Sequence, residues 1–126
     1  MISVTSCQLT LFRSYTKQVL EDLPASSIIL CGPNGAGKTN ILEAISLLSP
    51  GRGLRNSRSP EIQNSSVPAH QGWSISAKLD TSFGSTQIGV GLDQTTQKKL
   101  IRINGEAAKS QTALSEWVSC IWLTPQ

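Results

Sequence analysis

The hydrophobic pattern of the first residues alternates, changes phase and then becomes continuous. Residues 2–12 alternate apolar and polar side chains, which predicts a strand, and the change of phase near Ser6 indicates a β-bulge. Residues 16–20 can return as a second strand. Residues 27–31 read Ser-Ile-Ile-Leu-Cys, and such a continuous apolar run before a glycine-rich turn is typical of a strand buried on both faces.

A helix is predicted over residues 38–48. Apolar side chains stand at positions 41, 42, 44, 45, 47 and 48, which is typical of a helix that its neighbours cover well. The run Ser49-Pro50-Gly51 ends it. Residues 51–72 are mostly polar and carry several glycine and proline breaks, so we expect a loop there that can include a helical turn.

Alternation returns after residue 72 and predicts more sheet. Three strands are predicted, over residues 73–79, 87–92 and 99–103, and Asn104-Gly105 is a strong signal for a type I′ hairpin. Residues 111–118 fit a short helix and residues 120–123 a last apolar strand. The predicted fold class is α/β, with an antiparallel, partly curled sheet over residues 73–103 beside a strand, a loop and a helix.

The loop between the buried strand and the helix carries a complete phosphate-binding motif. Residues 32–39 fit G-x-x-x-x-G-K-[ST], and a strand precedes them and a helix follows them, as this P-loop requires. The predicted nucleotide-binding set is Gly32, Pro33, Asn34, Gly35, Ala36, Gly37, Lys38 and Thr39.

Each fixed position of this motif has a physical task. The glycines let the loop curl, so that successive backbone N–H groups point at one phosphate. The helix that starts at Lys38 adds unpaired N–H donors and the positive end of its dipole. Lys38 brings a charge to the β- and γ-phosphates, and the Thr39 hydroxyl can ligate Mg²⁺. We therefore expect ATP and Mg²⁺ as ligands.

The composition and charge of the chain indicate few functions beyond nucleotide binding. The chain has 126 residues, which fits one small domain, and a net charge of +3, which permits a polyanionic partner without demanding one. Its three cysteines are widely spaced and His70 is the only histidine, so a zinc site is not expected. The sequence shows no apolar run long enough for a membrane span and no secretory signal, so we expect a cytoplasmic protein without membrane contact.

The residues that would hydrolyse a nucleotide are not evident. Hydrolysis needs an acidic metal ligand after a hydrophobic strand and a group that orients water. Asp80 and Asp93 are better interpreted as solvated strand ends, so the catalytic residues stay unknown and the chain alone is expected to be inactive. A small P-loop kinase, a GTPase and a non-catalytic DNA-binding module remain alternatives. The guanine motif N-K-x-D of GTPases does not occur.

Two stretches resemble a known family. Phe12-Arg13-Ser14-Tyr15, followed by residues 31–45 with the P-loop and the run Asn-Ile-Leu-Glu-Ala-Ile, resembles the SMC-like ABC ATPases. Residues 46–55 narrow the resemblance to a bacterial group of DNA replication and repair proteins within that family. The family commonly has Asn before Phe-Arg, where this chain has Leu11.

The resemblance implies more than the residues do. It implies a P-loop NTPase fold, with residues 1–126 as the N-terminal ATP-binding lobe of an ABC/SMC-type head and the catalytic C-terminal half missing. It implies a longer protein that binds single-stranded or gapped duplex DNA, forms a homodimer when ATP is bound, hydrolyses ATP slowly when DNA is present, and works with RecO and RecR to help RecA onto DNA in the response to damage. It also places Arg13 near the nucleotide, although an exposed arginine at a strand end would look the same.

Several other side chains allow two interpretations each. Arg52, Arg55 and Arg58 can contact DNA phosphates, can belong to a solvated loop, or can in part face the nucleotide. Asn34 can reach the γ-phosphate or serve only the turn. Gln126 stands near the place where ABC ATPases carry a glutamine that senses Mg²⁺, and is a second candidate metal ligand. The three tryptophans are interpreted as core residues rather than platforms for base stacking.

Overall fold

The structure is a computed structural model that describes most of the sheet and the helix after the P-loop. The described residues are 3–24, 38–49, 59–62, 64, 72–81, 84–93 and 95–108. The predicted strand over residues 27–31, the P-loop before Lys38, the three arginines of residues 52–58 and all elements predicted after residue 108 lie outside them.

Six strands, one α-helix and one 3₁₀ helix make up the described part. In chain order they are β1 (Ser3–Phe12), β2 (Tyr15–Leu20), α1 (Lys38–Ser46), the 3₁₀ helix (Ser59–Ile62), β3 (Ser74–Thr81), β4 (Gly84–Leu92), β5 (Lys99–Ile103) and β6 (Glu106–Ala107). The strands form one sheet in the order β2-β1-β3-β4-β5-β6, and every neighbouring pair is antiparallel. The predicted antiparallel sheet and its strands β3, β4 and β5 are confirmed.

The predicted bulge lies in β1. Val4 pairs with Leu79 while Ser6 pairs with Lys78, so Thr5 is the extra residue between two adjacent partners. The Thr5 hydroxyl donates a hydrogen bond to the Lys78 carbonyl at 3.2 Å. This bulge resets the alternation, so that Cys7 and Leu9 face the core. The alternation breaks again at Leu11, which has a φ of 51°, and Phe12 is buried in place of Leu11.

One face of the sheet carries the core, and α1 and the 3₁₀ helix cover it. Phe12 and Trp73 meet edge to face there, with ring centroids 5.8 Å apart. Trp73 is 4% exposed, which confirms its predicted place in the core. Among the described residues, the buried apolar side chains of this core cluster are Cys7, Leu9, Phe12, Ala44, Leu47, Leu48, Ile62, Trp73, Ile75, Ala77, Leu79, Ile88, Val90, Leu92 and Ile101.

The turns follow the predicted chemistry closely. Asn104 and Gly105 both have positive φ, 52° and 85°, as a type I′ hairpin between β5 and β6 needs. The helix α1 ends at Ser46, two residues before the predicted end, because its last turn tightens. Leu48 donates its N–H to the Ile45 carbonyl and Ser49 donates to the Ser46 carbonyl, which are 3₁₀-type bonds.

Candidate nucleotide-binding site

The start of α1 has the features that a phosphate site needs. The helix begins at Lys38, where the sequence predicted it, and its first turn contains no acidic side chain. The positive end of the helix dipole therefore meets no competing carboxylate from the first turn. Thr39 is exposed in this turn, and a hydroxyl oxygen is a ligand type that Mg²⁺ accepts. The described end of the site thus fits a metal-bound triphosphate.

The turn between β1 and β2 is held against the same helix by a charged pair. Arg13 donates from Nε to Oε1 of Glu43 and from Nη2 to Oε2, both at 2.9 Å. The Glu43 side chain is 0% exposed and that of Arg13 is 22% exposed. Two parallel, charge-assisted hydrogen bonds of this kind fix both the distance and the plane of the guanidinium.

Further hydrogen bonds hold the turn in place. The Asn40 side-chain amide donates to the Ser14 hydroxyl at 2.9 Å, so a second residue of α1 contacts the turn. The Arg13 N–H donates to the Ile62 carbonyl at the end of the 3₁₀ helix, at 2.8 Å. Arg13 itself has a φ of 49°, a left-handed conformation that a non-glycine residue rarely adopts without support from its surroundings.

The opposite end of α1 is held by a lysine from the sheet. Lys99 of β5 donates from Nζ to the Ser49 carbonyl at 3.2 Å, and a cation there is favourable because the negative end of the helix dipole lies nearby. Burial opposes the charged form and lowers the pKa of Lys99 from 10.5 to about 8. Charged side chains of the β1–β2 turn and of β5 therefore contact the middle of α1 and the residue just beyond its end, respectively.

The two aspartates lie where the sequence placed them. Asp80 is exposed near the end of β3. Asp93 follows β4 and accepts hydrogen bonds from the Thr95 and Thr96 N–H groups, and the Thr95 bond is the main cause that holds its pKa below the usual value. Among the described residues, no group of three or more His, Cys, Asp or Glu is arranged to hold a metal ion.

The structure brings part of the predicted site together. Arg13 and Thr39 both belong to the region around the start of α1, through the helix itself and through the Arg13–Glu43 contact. Residues 32–37, the Lys38 side chain and Gln126 lie outside what the structure describes, so their nucleotide and metal roles stay predictions. A contact between Arg13 and the nucleotide also stays a prediction. In the structure the Arg13 guanidinium is hydrogen-bonded to Glu43.

Sequence reasoning did not single out Glu43. The signal was present, since position 43 is the one acidic residue of the helix and is surrounded by apolar positions. The apolar pattern favoured burial of Leu42 instead, yet Leu42 is 51% exposed and Glu43 is fully buried. A buried carboxylate needs a cation or hydrogen-bond donors, and Arg13 supplies them from the preceding turn.

A comparison with protein families identifies the class of protein to which the chain belongs. Residues 6–118 match the family model described as an AAA domain, so the chain belongs to the AAA domain family.

Within that class the similarity is to RecF. The DNA replication and repair protein RecF of Rhizobium leguminosarum biovar trifolii is 45% identical over 127 residues, which is 98% of this chain and 33% of the relative. RecF of Mesorhizobium japonicum is 40% identical over 124 residues, 97% of this chain and 32% of the relative. The chain thus spans about a third of the length of the curated relatives that it matches, and the predicted resemblance is confirmed.

Solved structures agree with the fold. The recombination mediator protein RecF in its ATP form superposes with a TM-score of 0.71 and 27% identity, over 90% of this chain and 30% of that one. The SMC head domain from Thermotoga maritima has a TM-score of 0.57 at 16% identity, over 90% of this chain and 40% of that one, and shows the fold alone. The predicted class, a P-loop lobe of an ABC/SMC-type head with an antiparallel sheet, is confirmed. In the described part of the chain, no helix is long and apolar enough to cross a membrane.

Proposed function

We propose that residues 1–126 form the ATP-binding lobe of a RecF-type DNA replication and repair protein. The observation that carries the proposal is the complete P-loop motif directly ahead of α1, a helix that begins at Lys38. Similarity to a RecF structure in an ATP form supports the choice of ATP over GTP. The exposed Thr39 hydroxyl supports a bound Mg²⁺ at the same place.

Each residue of the site has one task in this proposal. Backbone N–H groups of residues 32–37 and the start of α1 bind the phosphate oxygens, and the Lys38 charge offsets the charge of the β- and γ-phosphates. The Thr39 hydroxyl binds Mg²⁺, and Gln126 is a second candidate ligand from the end of the chain. Mg²⁺ held there would supply positive charge that offsets the charge of the phosphates. These residues bind and orient the nucleotide, and none of them supplies a base for hydrolysis.

The longer protein that such a lobe would belong to binds DNA. By similarity to RecF, we propose that it binds single-stranded and gapped duplex DNA, forms a homodimer when ATP is bound, and acts with RecO and RecR to help load RecA. Hydrolysis, at a slow rate that depends on DNA, requires residues outside this chain, so the chain by itself should turn over no ATP.

Replacing Lys38 tests the ATP site directly. Lys38→Ala should abolish ATP binding, because the γ-phosphate loses its main charge partner, and calorimetric titration of this chain or of a longer protein that contains it measures the loss. Lys17→Ala is the matched control, since Lys17 is an exposed lysine of β2 and the variant has the same change in charge. Equal ATP affinity in the Lys38 variant and the parent would refute the proposed site.

A second experiment tests the DNA contact proposed for Arg52, Arg55 and Arg58. If they bind phosphates, their joint replacement by Ala should weaken binding to all DNA sequences and reduce the slope of log K against log salt by about 0.9 per lost contact with duplex DNA. Arg102→Ala, at an exposed position of β5, serves as a single-charge control. An unchanged slope with a lower ATP affinity would assign these arginines to the nucleotide instead.

A further inference from the structure

The contact between Arg13 and Glu43 uses the side of the guanidinium that is best suited to hold an anion. Nε and Nη2 form the pair of parallel donors that matches two oxygens of a carboxylate or a phosphate. Both bind Glu43, each at 2.9 Å. This side of Arg13 is therefore already occupied by an internal carboxylate.

Moving the Arg13 guanidinium from Glu43 to a phosphate is unfavourable. The Glu43 side chain is 0% exposed, so its carboxylate would stay in a dry environment without the guanidinium if Arg13 turned away. While the contact lasts, one positive and one negative charge lie side by side, and their fields largely cancel at a third group. Arg13 consequently adds little net charge to the field at the triphosphate.

The position of the pair along α1 suggests what it does instead. Glu43 is five residues after Lys38, which is about 7.5 Å along a helix axis at 1.5 Å per residue. Asn40, two residues after Lys38, contacts Ser14 of the same turn. Asn40 lies in the first turn of the helix and Glu43 in the second, so both contacts are close to the end of the helix that follows the P-loop motif.

We propose that Glu43 is a positioning residue of the nucleotide site and that Arg13 acts through it. By holding Arg13 on two nitrogens, Glu43 fixes the first turns of α1 against the turn between β1 and β2, and so sets where the phosphate-binding end of the helix lies. The proposal rests on ATP binding at the P-loop. Small displacements of binding groups have large effects on such sites, so a loosened helix start lowers affinity for the triphosphate.

The test compares two replacements by the uncharged glutamine and their combination. Arg13→Gln and Glu43→Gln should each lower ATP affinity several-fold, and the double variant should lose no more than the more strongly affected single one, because both remove the same contact. ATP titrations are run well below the midpoint of thermal unfolding of each variant, so that loss of folded protein does not contribute. Ser14→Ala is a milder variant that should lower ATP affinity in the same direction by a smaller factor.

Each other outcome overturns the proposal. Unchanged ATP affinity in Glu43→Gln, with a loss in Arg13→Gln that persists undiminished in the double variant, would show that Arg13 binds the phosphates itself. Unchanged ATP affinity in all the variants would show that the pair only stabilises the fold. Lys38→Ala is run alongside them: if it keeps its ATP affinity, the P-loop assignment fails, whereas if it alone loses affinity, the assignment stands and the role of Glu43 falls.

Discussion

The two ends of the described core are built on different chemistry. Where β3, β4 and β5 meet, the core face is apolar, with Ile75, Ile88 and Ile101 each at most 3% exposed. Where the turn after β1 meets α1, the contact contains a fully buried carboxylate, that of Glu43, which is held by Arg13. Packing at the sheet end, where β3, β4 and β5 meet, depends on the volume of apolar side chains and on how closely they approach one another. The contact at the helix end, between α1 and the turn after β1, depends on charge and on the orientation of the charged groups. The helix end is also the one that bears the proposed ATP site.

The largest effect on stability is expected when only one partner of the Arg13–Glu43 contact is replaced. Arg13→Met leaves the buried Glu43 carboxylate without its guanidinium and should destabilise the fold by about 3–5 kcal/mol. Glu43→Leu should cost less, because the Arg13 side chain is 22% exposed and can turn towards water. The double variant should recover most of the loss, since it buries no charge. Urea unfolding of the three variants checks this order, and a double variant no more stable than Arg13→Met would contradict it.

A smaller effect on stability is expected at Gly91 of β4, which lies close to the backbone of Trp73. A Cβ at Gly91 would lie 2.9 Å from the Trp73 carbonyl oxygen, which also accepts the Leu92 N–H. Gly91→Ala should therefore destabilise the fold by about 1–3 kcal/mol through overpacking. At Gly89 the nearest atom would be the Arg102 Cβ at 3.9 Å, an ordinary contact, so Gly89→Ala is the control and should change stability by less than about 0.5 kcal/mol. Equal losses at both positions would contradict the packing argument.

The smallest effect concerns Lys99 and alkaline pH. Its pKa is about 8 in the folded chain and 10.5 when unfolded, so the unfolded chain binds more protons between these values and stability rises with pH across that window. Relative to Lys99→Met, wild-type stability should therefore increase from pH 8 to 10.5, by less than the full shift implies because the side chain is only half-buried.

The titration of Cys7 does not affect the comparison of wild type with Lys99→Met. Burial raises the pKa of the Cys7 thiol from 9.0 to about 11, which makes stability fall with pH in an overlapping window. Both proteins contain Cys7, so its contribution cancels when the two unfolding free energies are subtracted. A difference that is flat or falls between pH 8 and 10.5 would show that Lys99 is not buried as a cation at the end of α1.

The fold was largely predictable because its strands alternate cleanly. Alternation predicted the strands β3, β4 and β5, and the phase change near Ser6 predicted the bulge at Thr5. Asn104-Gly105 predicted its hairpin, because both residues tolerate the positive φ that a type I′ turn requires. These are local rules, and the neighbours along the chain suffice to apply them.

The candidate site was less predictable where it depends on distant partners. The P-loop motif predicted that a helix begins at Lys38, and it does. Burial of Glu43 in place of Leu42 could not be derived from helical periodicity, because it depends on Arg13, thirty residues earlier in the chain. The same holds for Asn40 and Ser14, whose polar side chains look solvent-facing until the turn and the helix are placed together.

The most direct test of the account is whether this chain holds a triphosphate. Calorimetric titration of the unmodified chain with ATP, and separately with adenosine, should be run with Mg²⁺ present. We expect saturable one-site binding of ATP and no measurable binding of adenosine at the same concentrations, because the loop and the helix start bind phosphates. Equal binding of both ligands, or none of ATP, would contradict the claim that residues 32–39 form a nucleotide-binding site.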